Sequence, residues 1–256
     1  EPTMLEDMYN LAKRDNAQLV VAGFYIDTYI GNGQFMTDNY VVDDFVCPDK
    51  ETFRKNAYKL FDKNLLYTPW NKLFERKYVM DNNIRFRNTF WDDFPFNLDV
   101  VRDVERVALM EDKYYHFMRA RADSETAKYR SDMLDKREEE HGWMLDLYKY
   151  WDVDSAESQE MIQRRYIERI VGCVENVTNT ACTLSTKEKK AAIKAMLNSD
   201  RTKTALKIAQ PNSTVMKIML IPYKMNSTSL VYLESTIISK VKSGNVKLFA
   251  KLKANR

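Results

Sequence analysis

The segment that most constrains the fold is the longest apolar run of the chain, residues 19–26 (LVVAGFYI). Its β-branched and aromatic residues are typical of a buried strand, and it is far shorter than the roughly 18 apolar residues of a membrane-spanning helix. Helical and strand-like segments alternate around it up to about residue 125, which predicts a mixed α/β sheet with helices. With 6 Gly and 6 Pro in 256 residues the chain has too few turn formers for an all-β protein, so we expect a helix-rich one.

Helix-start signals and apolar spacing define the elements of this first region. We expect helices over residues 2–16, 49–63, 70–82 and 94–101, and strands over residues 19–29, 40–42, 106–110 and 114–118. The glycines of Gly31-Asn32-Gly33 indicate a turn after the first strand.

The pattern changes after residue 125. Long helical patterns cover residues 126–151 and 155–182, and Ser185-Thr186-Lys187-Glu188 is a capping-box sequence that begins a helix ending near residue 198. We therefore predict two domains, residues 1–125 and residues 126–256, of which the second is all-α.

Charge is distributed unevenly along the chain. Residues 183–256 hold 15 Lys and Arg against 3 Asp and Glu, whereas residues 1–182 hold 25 against 34. Two interpretations stay open. In the first, the amphipathic stretches 230–238 and 246–252 lie on an anionic membrane surface. In the second, they form the solvated basic face of a helical domain. Aromatic residues are sparse there, so we do not expect a nucleic-acid partner.

Common catalytic and metal-binding signatures are mostly absent. The three cysteines have no motif spacing, and their number is typical of a reducing compartment. A single Glu-x-x-His occurs at Glu138 and His141, whereas a di-iron bundle needs two such motifs and two further carboxylates. We expect residues 137–141 to form a solvated acidic helix face.

Five short motifs follow one another between residues 69 and 124. They are PWNKLFER (69–76), NNIRF (82–86), WDDFPFN (91–97), YYHFM (114–118) and RARADS (119–124). In this order and spacing they resemble the second half of the catalytic domain of bacterial family-2 glycosyltransferases, which are inverting, nucleotide-sugar-dependent enzymes with the GT-A type of α/β fold. In that family the IRF segment is a short strand.

The N-terminal 25 residues resemble the segment that follows the family's metal-binding Asp-x-Asp motif. The resemblance implies that the sequence begins within the catalytic domain. It also implies that Mg²⁺ or Mn²⁺ would be held by an Asp-x-Asp motif upstream of residue 1, with no metal ligand in this chain.

The resemblance assigns catalysis to the acidic pair. It makes Asp93 the general base that accepts the proton of the acceptor hydroxyl, and it places Asp92 in a supporting position. Spacing alone also fits an Asp that caps the helix that follows, and the two roles are compatible, because a cap would fix the direction of the carboxylate.

The other matched positions would bind substrates. Trp91 and Trp70 would place their rings against the sugar acceptor, although large aromatic residues are more often part of a core. Arg119, Arg121 and Ser124 match a loop near the donor diphosphate, and surface arginines at a domain junction are the alternative. Asn71 and Lys72 match the family motif without an assigned role.

From these observations we expect a glycosyltransferase with Asp93 as base. It would transfer a sugar from a nucleotide-sugar donor to a glycan or lipid-linked acceptor in the synthesis of a cell-surface polysaccharide. The expected location is the cytoplasm, with peripheral contact at the inner face of the cell membrane. The alternative is a non-catalytic helical module that binds a membrane or a protein through its basic C-terminal region.

Overall fold

The computed structural model describes residues 1–41, 46–119 and 128–244. Its first region forms one sheet with the strand order β2-β1-β5-β3, and β4 also pairs with β1. The strands are β1 (Leu19–Gly31), β2 (Gln34–Tyr40), β3 (Val46–Cys47), β4 (Lys72–Phe74) and β5 (Val107–Arg119). The helices of this region are α1 (Met4–Arg14), α2 (Lys50–Asp62), α3 (Arg76–Asp81) and α4 (Asp93–Asp103).

The described residues from 128 onward form helices and connecting turns. The helices are α5 (Met133–Trp151), α6 (Ala156–Thr178), α7 (Thr186–Asn198), α8 (Asp200–Ile208), α9 (Thr214–Met219), α10 (Ile221–Lys224) and α11 (Thr228–Gly244). The predicted fold class, a mixed α/β sheet followed by helices, is therefore confirmed.

The buried strand β1 organises the sheet. Its first six residues are all buried, and β4 pairs antiparallel to it with Val21 opposite Lys72. Helix α1 covers one face, where Met8 joins a cluster with side chains of β1 and β5. Removal of this apolar surface from water is the main force that holds helix and sheet together. At the other end of β1, Gly31 and Gly33 have positive φ angles of 99° and 71°, and so form the turn into β2.

Several elements differ from the sequence prediction. The predicted helix over 70–82 is wrong in its first half, where Lys72–Phe74 pairs with β1 and the helix begins at Arg76. The two strands expected over 106–118 are one continuous strand, β5. Strand β2 begins at Gln34, well before the predicted residue 40, and residue 42 lies outside the described part of the chain.

Two further expectations fail because side-chain burial overrides the local pattern. Residues 84–86 are not a strand. Ile84 is buried there, and the ring of Phe86 stacks on Phe96 with 4.1 Å between centroids. The expected solvated face over 137–141 is partly buried, since Glu140 and His141 are each less than a tenth exposed.

The chain divides into two compact units. The sheet unit comprises Glu1–Asp27, Thr37–Arg119 and Gly142–Ser158, and it contains all four tryptophans of the chain. The helical unit comprises the described residues of Thr28–Met36, Ala120–His141 and Gln159–Arg256. The predicted domain boundary at residue 125 lies outside the described residues, so it stays a prediction. In the part of the chain that the structure describes, no helix has the length and apolar character needed to cross a membrane.

Candidate active site

The acidic pair lies at the beginning of α4. Asp92 occupies the N-cap position, and Asp93 is the first helical residue. Asp92 makes no capping hydrogen bond through its side chain. Both side chains are half-buried. The Asp92 side chain therefore does not provide the helix cap that spacing alone allows.

The residue before the pair has an unusual backbone. Trp91 has a positive φ of 58°, in the left-handed region that bulky residues rarely adopt. Its carbonyl oxygen accepts a hydrogen bond from the Phe94 N–H at 3.2 Å, which closes the turn that leads into α4. Such conformations persist only where the surroundings impose them, and they are frequent at functional sites.

A loop of residues 65–72 packs against the start of this helix. The ring of Tyr67 stacks on Phe94, with 4.7 Å between centroids and 17° between planes. The amide of Asn97 donates to the carbonyl oxygens of Tyr67 at 3.4 Å and of Asp93 at 2.7 Å. Asn97 thus joins the loop to the helix turn that carries Asp93.

The loop itself is held closed by Asn71. Its side-chain amide donates to the carbonyl oxygens of Ala22 at 3.0 Å and of Leu65 at 3.2 Å. The backbone carbonyl oxygen of Asn71 accepts a hydrogen bond from the Ala22 N–H at 3.0 Å. Asn71 is fully buried, so these hydrogen bonds satisfy polar atoms that would otherwise be costly to bury. They fix the loop to the centre of strand β1.

Lys72 is buried beside Asn71. Its ammonium donates to the carbonyl oxygens of Leu65 at 2.5 Å and of Thr68, and to the side-chain oxygen of Asn71 at 2.9 Å. Burial lowers the pKa of Lys72 well below its usual value, and the negative charge of Asp93 acts in the opposite direction.

Burial and two charged neighbours shift the pKa of Asp93. Burial, and then the negative charge of Asp92, raise the pKa of Asp93, while the positive charge of Lys72 lowers it. A raised carboxyl pKa makes the ionised carboxylate a stronger base, which is the property that general base catalysis uses.

Trp70 lies in an aromatic cluster on the sheet. Its ring stacks on Tyr115 at 4.3 Å and on Phe117 at 5.7 Å between centroids, and it meets Phe24 edge-on at 4.7 Å. Tyr115 and Phe117 are more than a third exposed, so the cluster presents aromatic surface to solvent. Trp91 instead lies beside Phe90, with 4.5 Å between ring centroids.

The predicted diphosphate-binding group is described only in part. Arg119 is the last residue of β5, with its guanidinium 5.9 Å from the Phe117 ring centroid. Arg121 and Ser124 lie outside the described residues.

Four residues of this site were not singled out from the sequence. They are Asn97, Tyr67, Leu65 and Thr68. The i, i+4 spacing of Asp93 and Asn97 places both on one helix face and could have indicated their contact. Leu65 and Thr68 act through backbone carbonyl groups, and side-chain patterns give no signal for those.

No established protein-family profile matches the chain. It is 28% identical over 120 residues to the cholesterol galactosyltransferase of Borreliella burgdorferi. The match covers 45% of this chain and 33% of that protein, so the chain spans about a third of the length of this curated relative.

Among solved structures, a crystal structure of S. aureus TarS 1–349 matches 94% of the chain with a TM-score of 0.50 at 12% identity, and 63% of that chain is covered. The same protein in complex with UDP-GlcNAc gives a TM-score of 0.47 at 11% identity, with 94% of this chain and 64% of that chain covered. The first of these shows a likeness of fold. This likeness of fold and the sequence match to the curated galactosyltransferase together relate the chain to glycosyltransferases.

Proposed function

We propose that the chain carries the base and acceptor side of an inverting glycosyltransferase of the family-2, GT-A type. The observation that carries this proposal is the half-buried Asp93 at the start of α4. Burial and the negative charge of Asp92 raise the pKa of this carboxyl group. The motif resemblance and the galactosyltransferase relative support it. The donor would be a nucleotide sugar, and the acceptor a glycan or a lipid-linked molecule in cell-surface polysaccharide synthesis.

In the proposed reaction one proton is transferred, one bond forms and one bond breaks. The acceptor hydroxyl gives its proton to the Asp93 carboxylate while its oxygen forms a bond to the anomeric carbon. The bond from that carbon to the diphosphate oxygen breaks on the opposite face, and the diphosphate leaves with the electron pair. Attack opposite the leaving group inverts the anomeric centre. Arg119 would contribute positive charge near the departing diphosphate.

A divalent cation is part of this proposal only through residues outside this sequence. The described residues contain no group of three or more His, Cys, Asp or Glu side chains that could hold a metal ion. The described side chains therefore do not fit a metal site. Mg²⁺ or Mn²⁺ bound by an upstream Asp-x-Asp motif stays a proposal.

The test replaces the base without changing its size. In the full-length protein, we expect Asp93→Asn to lower sugar transfer from a radiolabelled nucleotide sugar to a membrane extract by about 100-fold or more, because general base catalysis contributes at least that much. Asp112→Asn, an exposed acid on β5, is the matched control and should retain activity. Transfer by Asp93→Asn at the level of the control would show that Asp93 is not the base.

We also propose peripheral contact of the helical unit with an anionic membrane surface. Seven aliphatic side chains between residues 208 and 237 are more than a third exposed, namely Ile208, Ile218, Ile221, Met225, Leu230, Leu233 and Ile237. Exposed lysines adjoin three of them in sequence, at Lys207, Lys217 and Lys224. Apolar side chains interspersed with lysines suit a bilayer with negative headgroups. The predicted second stretch, residues 246–252, lies outside the described residues.

These exposed side chains also favour the non-catalytic alternative. A module that binds membrane or protein without transferring sugar would use the same residues. Sugar transfer that depends on Asp93 distinguishes the enzyme from such a module.

A further inference from the structure

Lys72 is a buried lysine to which the motif resemblance assigns no role. Lys72 is 7% exposed, although lysine is seldom buried without a partner. Its three hydrogen-bond contacts are all with oxygen acceptors, those of Leu65, Thr68 and Asn71. A protonated amine has three N–H donors and a neutral amine has two, so three acceptors match the charged form.

The charge of Lys72 acts on the proposed base. Among the described groups, Asp92 and Lys72 are the two whose charges act on Asp93, and Asp93 is the one whose charge acts on Lys72. Asp92 opposes ionisation of Asp93, whereas Lys72 favours it. The positive charge of Lys72 partly offsets the effect of Asp92 on Asp93.

The hydrogen bonds also connect Lys72 to Asp93 through the backbone. Lys72 and Asn71 both bind the Leu65 carbonyl oxygen, which closes the loop of residues 65–72. Asn97 then joins the Tyr67 carbonyl of this loop to the Asp93 carbonyl. The loop that the ammonium holds closed therefore contacts the helix turn that carries the acid.

We propose that Lys72 is a positioning residue that stays protonated, closes the loop of residues 65–72 and keeps Asp93 ionised as the acceptor's base. This inference rests on the proposed function for the role of Asp93. It adds that the half-buried carboxylate works beside a buried ammonium, so that the proton stays on the lysine and the carboxylate is left free to accept another.

The first experiment measures the pH dependence of sugar transfer. Lys72→Met removes the charge and keeps the aliphatic chain. Loss of the cation should raise the pKa of Asp93, so the acid limb of the kcat/KM profile should move to higher pH by about one unit or more. Lys77→Met is the matched control, since this exposed lysine on α3 pairs with Asp81, and its profile should match that of the unmodified protein. A lower plateau with an unmoved acid limb would show that Lys72 is merely structural.

The second experiment needs neither activity nor a folded Lys72→Met variant. The Lys72 side chain is titrated by NMR through its labelled terminal methylene carbon, in the unmodified protein and in Asp93→Asn. Coupling is reciprocal, so loss of the carboxylate should lower the pKa of Lys72 further. An unchanged Lys72 titration would overturn the inference, as would a lysine already neutral at pH 7 in the unmodified protein.

The two proposals fail separately. If Asp93→Asn retains sugar transfer, the proposed base is wrong, whatever the NMR titration shows. If Asp93→Asn is inactive but the Lys72 titration does not move, the function stands and the role of Lys72 is wrong.

Discussion

At the scale of single residues, the buried imidazole of His141 makes stability depend on pH. Its ring lies 4.3 Å from that of Tyr166, whose hydroxyl donates to Glu138 at 2.5 Å. Burial, together with the positive charge of Arg201, lowers the pKa of His141 to about 4. The fold therefore favours the neutral ring, while the unfolded chain takes up a proton near pH 6.5.

This shift predicts acid sensitivity of the helical unit. The contribution of neutral His141 to the free energy of unfolding is complete above pH 6.5 and is lost as the pH falls towards 4. About 2 kcal/mol of it is lost between pH 7 and pH 5. Urea unfolding followed by far-UV circular dichroism at the two pH values measures the loss, and His141→Gln should reduce it.

His116→Gln is the matched control for that experiment. Hydrogen bonds to Asp27 and then to Glu1 raise the pKa of His116, so its contribution to stability changes with pH in the opposite sense. The acid loss should persist in this control. Equal pH dependence of the His141→Gln variant and the unmodified protein would contradict the prediction.

The site residues differ in how far the sequence predicts them. The acidic pair at a helix start follows from local pattern, and the structure places Asp92 and Asp93 there. The burial of Lys72 does not follow, because it depends on the carbonyl groups of Leu65 and Thr68, which lie several residues away. The catalytic assignment of Asp93 itself stays a prediction.

At the scale of elements, the capping box of α7 was read correctly from the sequence. The Ser185 side chain accepts from the Glu188 N–H at 3.3 Å, and the Glu188 carboxylate accepts from the Ser185 N–H at 2.7 Å. Each bond satisfies a backbone N–H that has no acceptor within the helix, so the signal for the start of α7 is contained in four residues.

Ser185→Ala should lower the free energy of unfolding of the helical unit by about 1 kcal/mol, because an N-cap hydrogen bond is lost. Ser229→Ala makes the same chemical change at an exposed position in α11 and should leave stability nearly unchanged. Denaturant unfolding of both variants measures the difference. A loss of the same size in both would mean that the cap does not stabilise α7.

Elements set by distant partners were predicted less well. Residues 70–75 have helical apolar spacing, yet Lys72–Phe74 forms a strand. Its three residues pair with three residues at the start of β1, a partner about 50 residues away that local spacing does not reveal. Strand β5 was divided in two because Glu111 and Asp112 interrupt its apolar pattern. These side chains are exposed, and the strand continues through them.

At the scale of the whole molecule, the uneven charge predicts selective membrane binding. We expect the protein to co-sediment with vesicles that contain phosphatidylglycerol and not with pure phosphatidylcholine, and to dissociate as salt is raised. Leu233→Ser should weaken binding, since it removes an exposed apolar contact on α11. Leu5→Ser, at an exposed leucine on α1, is the matched control.

Two outcomes would count against this contact. Equal binding to both vesicle types would exclude a role for the lysines, and unchanged binding by Leu233→Ser would exclude the aliphatic surface. A solvated basic face, the other interpretation of the sequence, predicts that Leu233 contributes nothing to vesicle binding.

The placement of all four tryptophans in the sheet unit has an optical consequence. Indole fluorescence, excited selectively, reports on the sheet unit alone, while far-UV circular dichroism is dominated by helices in both units. Two spectroscopic curves from one sample therefore follow different parts of the molecule. Quenching by an added sugar nucleotide or glycan would come from the unit that holds Trp70, Trp91 and Asp93, so the chain contains its own reporter for ligands at the candidate site.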